Sequence, residues 1–160
     1  MSIILFGNKN NSGSILLEAL ISIIIIGLIF SVLLDIGILS LKTSASIEKI
    51  TKADFLLKEA IESVRSFRDG TDWSSNGLGL VSAGTSNPYK SNLTPGTETI
   101  GIFTRKIIFD NVSRNPATKN IESVYNASNN DPYTKKVTAI VNWEAQSAQV
   151  ITYFTNWKND

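Results

Sequence analysis

Apolar residues are concentrated in one long segment near the N-terminus of the chain. Residues 14–41 contain only two charged side chains, Glu18 and Asp35, and residues 19–34 contain none. As a helix this segment is about 40 Å long, at about 1.5 Å per residue, which exceeds the roughly 30 Å hydrocarbon core of a bilayer. The pattern predicts a helix at residues 14–41 that spans a membrane or is buried in an assembly. A signal peptide fits less well, because no small-residue cleavage site follows the apolar run.

The helical pattern continues beyond residue 41 but becomes amphipathic. Apolar residues recur at intervals of three and four: Ile47, Ile50, Ala53, Leu57, Ala60, Ile61, Val64 and Phe67. Asp69-Gly70 predicts the helix end, with Gly70 in the left-handed conformation beyond the last turn. Because one apolar stripe has to be covered, residues 42–70 are predicted to pack on a sheet. A coiled-coil stalk is less favoured, since the stripe is short and lacks regular heptads.

The remainder of the chain, residues 71–160, begins with a segment rich in turn-forming residues. Glycine, serine, asparagine, threonine and proline dominate residues 71–98. This composition predicts a long loop, with a short strand near residues 78–81. Trp73 is predicted to anchor the loop by packing.

Three stretches rich in β-branched and aromatic residues follow, at residues 99–110, 136–143 and 149–157. In the second stretch the apolar residues alternate onto one face: Val137, Ala139, Val141 and Trp143. We expect an antiparallel sheet of three or four strands, with residues 144–148 joining the last two. The predicted fold class is therefore α+β, with a long N-terminal helix packed on a small antiparallel sheet.

Composition excludes several classes of function. The chain has 15 basic and 14 acidic residues, a net charge of +1, and therefore no strong global field to attract nucleic acid or acidic substrates. It contains no cysteine and no histidine, which excludes thiol nucleophiles, Ser-His-Asp triads, disulfides and ordinary zinc sites. No phosphate loop or carboxylate dyad is present. We predict that the protein is not an enzyme and has no catalytic residue, metal site or cofactor.

Two sets of polar residues in residues 71–160 have alternative interpretations. Four oxygen-bearing residues are candidate calcium ligands, although their spacing matches no calcium loop and turn formation is favoured: Asp110, Asn129, Asn130 and Asp131. Six scattered basic residues are candidates for a phosphate-binding patch, although a solvated face is the commoner arrangement: Arg105, Lys106, Arg114, Lys119, Lys135 and Lys136.

Glu18 is the most informative residue of the apolar segment. A carboxylate inside a membrane-spanning helix costs roughly 2.5–3.5 kcal/mol on insertion scales, so a simple anchor has no reason to carry it. Residues 14–41 contain no lysine or arginine that could pair with it. A free α-amino group, created by cleavage just upstream, would supply the missing cation.

The residues before the apolar run supply a candidate cleavage site. The chain reads Lys9-Asn-Asn-Ser-Gly13 and then Ser14-Ile-Leu-Leu-Glu18. This arrangement resembles the N-terminal motif of type IV pilins and type II secretion pseudopilins. In that family a short polar leader ends in glycine, a prepilin peptidase cuts after it and methylates the new N-terminus, and a glutamate is the fifth residue of the product. The resemblance implies cleavage between Gly13 and Ser14.

The resemblance also implies the organisation and role of the chain. Residues 1–13 would be the leader, residues 14–41 the transmembrane and filament-core helix, and residues 42–70 an amphipathic helix that forms a globular head with residues 71–160. The mature protein would be a structural subunit of a type IV pilus or a secretion pseudopilus. Ser14 and Glu18 would direct assembly, through attraction between the glutamate of one subunit and the N-terminal amine of its neighbour.

The implied partners are prepilin peptidase, like or related pilin subunits, an inner-membrane assembly platform and membrane lipid. Before assembly the subunit would cross the cytoplasmic membrane once, with its C-terminal domain outside the cytoplasm. It would then enter an extracellular pilus or a pseudopilus in the cell envelope. Ser14 stands where the family usually has phenylalanine, and the helix lacks the proline that kinks many major pilins. The second departure fits a minor pilin or pseudopilin better.

Two other functions remain open on the sequence. One is a minor or competence pilin at a filament tip that binds DNA or protein cargo. The other is a single-pass anchored protein that does not polymerise. Lysine is more frequent after the apolar segment than before it, which favours a cytoplasmic C-terminal side. The family resemblance implies the opposite orientation.

Overall fold

The computed structural model describes residues 12–87 and 96–158. Within them, the helices and strands in chain order are α1 (Ser12–Gly70), a 3₁₀ turn (Leu78–Leu80), β1 (Thr85–Asn87), β2 (Glu98–Ile100), β3 (Phe103–Ser113), a second 3₁₀ turn (Ala127–Asn129), β4 (Asn130–Trp143) and β5 (Gln146–Thr155). The predicted α+β class is confirmed. The chain divides into two compact units, one up to residue 48 and one from residue 49 onward.

Helix α1 ends where the sequence predicts, but it ends in a different way. Gly70 is its last residue, and the φ of Gly70 lies outside the left-handed region, so the predicted left-handed glycine is wrong. Side chains satisfy the terminal carbonyls instead. The Thr71 hydroxyl donates to the carbonyl of Phe67 at 2.6 Å, and the Lys158 ammonium donates to the carbonyl of Asp69.

The sheet is antiparallel and has the order β1-β3-β4-β5, with β2 also paired to β3. Strand β2 pairs with residues 103–105 and β1 with residues 107–109, so the two short strands share one edge of β3. The single strand predicted at residues 99–110 is therefore wrong. A two-residue turn at Gly101 and Ile102 divides it, and Gly101 adopts a φ of 60° that suits glycine.

Other predicted boundaries also shift. The strand predicted at residues 78–81 is a 3₁₀ turn, because Leu78 is fully buried and the Gly79 amide donates to the carbonyl of Trp73 at 3.0 Å. Strand β4 begins six residues before the predicted start, at Asn130 instead of residue 136. The turn between β4 and β5 contains only residues 144 and 145, and Glu144 has a φ of 50°.

The core of the second unit lies between α1 and the sheet. Five residues of the helix are buried against it: Ala53, Leu56, Leu57, Ala60 and Val64. They meet the inner face of β3 and β4, which contains Ile107, Phe109, Val137, Ala139, Val141 and Trp143. The alternation predicted for β4 is confirmed. The first part of the predicted helical stripe is not covered, since Ile47 and Ile50 are 57% and 50% exposed.

Trp73 closes one end of this core, as the sequence predicts. Its ring is buried, and its indole nitrogen donates to the carbonyl of Pro132 at 2.9 Å. The bond joins the loop after α1 to the first part of β4. Trp73 therefore buries its apolar ring while its indole N–H keeps a hydrogen-bond partner.

The largest fully buried side chain is a cation, Arg105 of β3. Its guanidinium donates to Glu98 on β2, to Glu59 on α1, at 2.9 Å, and to the carbonyl of Leu56 at 3.1 Å. A buried charge is tolerated only when it is paired and hydrogen-bonded. This cluster therefore fixes α1, β2 and β3 to one another.

The C-terminal residues close the end of the helix. The Trp157 indole donates to the Asp69 carboxylate at 3.2 Å, and the guanidinium of Arg68 lies 5.2 Å from the Phe154 ring centre. Hydrogen bonds from Arg68 and Trp157 lower the pKa of Asp69. These contacts tie the last strand to the last turn of α1.

Replacing Arg105 tests the importance of the buried cluster. Arg105→Ala should lower the free energy of unfolding by about 3 kcal/mol, because it empties the space of a fully buried side chain and leaves the partly exposed Glu59 and Glu98 without their cation. All three tryptophans lie in the second unit, so urea unfolding of the full chain in detergent can be followed by tryptophan fluorescence. The matched control is Arg65→Ala, which removes an exposed ion pair with Glu62 and should cost less than about 0.5 kcal/mol. Equal losses in the two variants would contradict the role given to the cluster.

Candidate functional site

The candidate processing and assembly residues all lie at the beginning of α1. The helix starts at Ser12, so the Gly13–Ser14 bond falls in its first turn. Glu18 lies four residues after Ser14, on the same face of the helix. Residues 1–11 of the predicted leader lie outside the described residues. The structure thus brings Gly13, Ser14 and Glu18 within two turns of one helix.

The apolar side chains that follow these residues are exposed on every face of the helix. From Ile15 to Leu41 the large apolar residues are between 46% and 73% exposed. A helix that is apolar all round requires an apolar surrounding. By length and composition this helix can cross a membrane once, a property that signal sequences near an N-terminus share.

Two serines in the apolar segment satisfy their hydroxyl groups within the helix. Ser22 donates to the carbonyl of Glu18 at 2.8 Å, and Ser31 donates to the carbonyl of Gly27 at 3.0 Å. This local bonding suits a medium without water, where an unbonded hydroxyl is costly.

Glu18 differs from these serines. Across residues 12–87 and 96–158 its carboxylate forms no hydrogen bond or ion pair. A carboxylate in an apolar surrounding attracts a cation strongly, because Coulomb energy increases as the dielectric constant falls. An α-amino group at residue 14 would carry such a charge, and the positive end of the helix dipole would disfavour it there unless a carboxylate pairs with it. One helix would therefore carry both an ammonium group at residue 14 and the Glu18 carboxylate. These opposite charges suit pairing between two copies of the helix.

The sheet domain contains the six basic residues considered for phosphate binding, and most of them are engaged within the chain. Arg105 is buried with its glutamates, Arg114 pairs with Asp131 at 2.6 Å, and Lys136 pairs with Asp110 at 3.3 Å. Lys135 is buried and donates to the Val81 carbonyl and the Asn111 side chain. Burial lowers the pKa of Lys135. Little of this positive charge faces solvent unpaired.

The candidate calcium ligands also have structural partners. Asp131 accepts from Arg114 and from the amide of Tyr133 at 2.9 Å, which is the favoured turn interpretation. Asn129 donates to Glu122, and Asn130 accepts from the Tyr125 hydroxyl. In the part of the chain that the structure describes, no three acidic residues converge as a metal site.

A groove of about 350 Å³ on the second unit was not predicted. It is bordered by the Asp110–Lys136 pair and by Tyr125 and Tyr153. These residues come from β3, β4, β5 and the connection before β4. Only the register of the strands brings them together, so no local motif in the sequence could reveal the groove.

Comparisons with known proteins leave the family undecided. No family model, curated protein or solved structure matches the chain. The assignment of a function therefore depends on the residues at the start of α1 and on the exposed apolar helix that follows them.

Acidification tests the Arg114–Asp131 pair. Burial acts to raise the pKa of Asp131, but hydrogen bonds from Thr134, Arg114 and the Tyr133 amide outweigh it and hold the pKa below its usual value. A lowered folded-state pKa stabilises the protein above about pH 4 and loses this effect as the pH falls. Asp131→Asn should therefore be less stable at pH 7 and should show a flatter stability profile in acid.

Urea midpoints measured from pH 7 down to about pH 3 check this expectation. The control is Asp54→Asn, which removes an exposed carboxylate paired with Lys58 and should change the midpoint little. An Asp131→Asn profile parallel to that of the wild type would contradict the assigned role.

Proposed function

We propose that the protein is a pilin-like structural subunit, cut after Gly13 and assembled into a filament through its N-terminal helix. The observation that carries this proposal is the position of Gly13, Ser14 and Glu18 at the start of an exposed, apolar helix. A glycine before the cut, a glutamate at the fifth position after it and the apolar run form one pattern. The lack of proline in residues 14–70 favours a minor pilin or pseudopilin within this class.

The mechanism follows from electrostatics in an apolar medium. Prepilin peptidase removes the leader and exposes the amine of Ser14. In the cytoplasmic membrane this amine and Glu18 lack water, so pairing between neighbouring subunits neutralises two costly charges. The same helices then exchange lipid contacts for contacts with one another in the filament core, where van der Waals packing stabilises them.

The sheet domain would face the outside of such a filament and would determine what the surface presents. A DNA-binding tip subunit is not favoured, because four of the six candidate basic residues are engaged in contacts within the chain. The distribution of lysines supports the other alternative, a plain anchor with a cytoplasmic domain. The two orientations lead to different N-termini, since only the proposed orientation implies processing.

The decisive experiment is mass spectrometry of the intact protein, extracted from membranes of its own host. The proposal expects a chain that begins at Ser14, with or without an added methyl group. A chain that retains residues 1–13 would instead identify a plain single-pass anchor and would overturn the proposal.

Changing Gly13 tests the cut site. Gly13→Leu should leave the precursor unprocessed, because the peptidase has to accommodate the residue before the bond. Gly27→Leu is the matched control, since an added Cβ atom meets nothing within 4 Å at either glycine. The control should be processed normally. Leader removal from Gly13→Leu, measured by the same mass analysis, would place the cut elsewhere.

Changing Glu18 tests the assembly step separately from processing. Glu18→Gln keeps the size of the side chain but removes its charge, so it should be cleaved normally and should enter sheared filaments at least about tenfold less than wild type. Asp35→Asn removes the other carboxylate of residues 14–41 and should assemble normally. Normal incorporation of Glu18→Gln, judged by immunoblot of the filament fraction, would exclude the proposed ion pair.

A further inference from the structure

The two edges of the sheet are built in different ways. One edge consists of β1 and β2, each three residues long and separated along β3. Short, interrupted edge strands are one way in which proteins prevent unwanted pairing. The other edge is β5, which pairs with β4 over ten consecutive residues without a register shift.

Strand β5 lacks the features that protect an edge. Residues 146–155 contain no charged residue, no proline and no glycine. Three of its large side chains remain exposed, Val150 at 36%, Ile151 at 50% and Tyr153 at 46%, whereas Phe154 is buried in the core. Among the described strands β5 pairs only with β4. A long, neutral and regular edge of this kind is a template for a further strand.

We propose that the free edge of β5 binds the β5 edge of a second copy, antiparallel and related by a two-fold axis, so that the two sheets become continuous. This proposal does not depend on processing or on filament assembly. A two-fold interface uses the same surface on both copies, and an antiparallel strand pair satisfies that symmetry. The neutral strand allows this pairing without charge repulsion at any position from 146 to 155.

The charges at the two ends of β5 favour an antiparallel partner. Glu144 precedes the strand and pairs with Lys49, and Lys158 follows it and donates to the carbonyls of Asp69 and Thr71, but both side chains stay exposed. Residues that lie opposite one another in an antiparallel pair point to the same face of the sheet. The two-fold axis therefore has to pass midway between the two copies of one residue. A register centred on Ile151 pairs Gln149 with Tyr153 and brings the end of β5 that follows Glu144 near the end of the other copy that precedes Lys158, so that opposite charges lie at each end of the pair. A parallel pairing in register would bring like charges together.

Thiol cross-linking tests this register sharply, because the natural chain contains no cysteine. In purified full-length protein in detergent, Ile151→Cys should form a disulfide-linked dimer on mild oxidation. At the axis the two residues are opposite each other, and opposite Cα atoms about 5.5 Å apart fall within disulfide range.

Two neighbouring positions serve as matched controls. Gln149→Cys alone and Tyr153→Cys alone should cross-link at least about tenfold more slowly, because identical residues would be about 13 Å apart at about 3.3 Å per residue. An equal mixture of the two variants should cross-link, since each residue then faces the other. Equal cross-linking at all three single positions would overturn the proposed register.

A charge at the axis provides a test that does not depend on thiol chemistry. The wild type should be a dimer by light scattering, and Ile151→Lys should weaken the dimer at least about tenfold by placing like charges opposite each other. Tryptophan fluorescence should confirm that the variant remains folded. A monomeric wild type would overturn the proposal. So would a dimer that persists unchanged in Ile151→Lys, since its interface would then lie elsewhere, for example on the exposed apolar helix.

Discussion

The packing of α1 on the inner face of the sheet is the contact on which the second unit depends. Ala60 and Val64 are fully buried in the core cluster that also contains Ile107, Phe109 and Val137. A few antiparallel strands need a covered apolar face to be stable, and here one helix provides most of that cover. This contact also encloses a cation, Arg105. The cost of burying its charge is offset because the guanidinium pairs with Glu59 on the helix and with Glu98 on the sheet.

The sequence predicts those elements whose signals are local and periodic. The helix ends at Gly70 because periodicity ends there, and β4 presents Val137, Ala139 and Val141 to the core because strand side chains alternate. Failures occur where distant contacts decide. Gly101 is a local signal for a turn, but the strand-like residues around it outweigh that signal. Nothing local shows that Leu78 is fully buried in a 3₁₀ turn.

Arg105 shows a second limit of prediction from sequence, because its position could be predicted but its partners could not. Arg105 alternates with Phe103 and Ile107, so the pattern places it on the inner face of β3. What the pattern does not contain is the identity of its partners, since Glu59 and Glu98 are 46 and 7 residues away along the chain. The candidate assembly site is the reverse case. Gly13, Ser14 and Glu18 are recognisable from their spacing alone, whereas the role proposed for them depends on a peptidase and on neighbouring subunits.

The contacts at the end of α1 have a consequence for the order of events during synthesis. Asp69 and the terminal carbonyls of the helix are held by Trp157 and Lys158, which lie almost ninety residues later in the chain. A ribosome therefore makes residues 12–48 long before it makes the two residues that close the end of the helix. The apolar segment can then meet an apolar surrounding while the sheet is still incomplete. Synthesis of residues 157 and 158, rather than of the helix, is the event that completes these contacts.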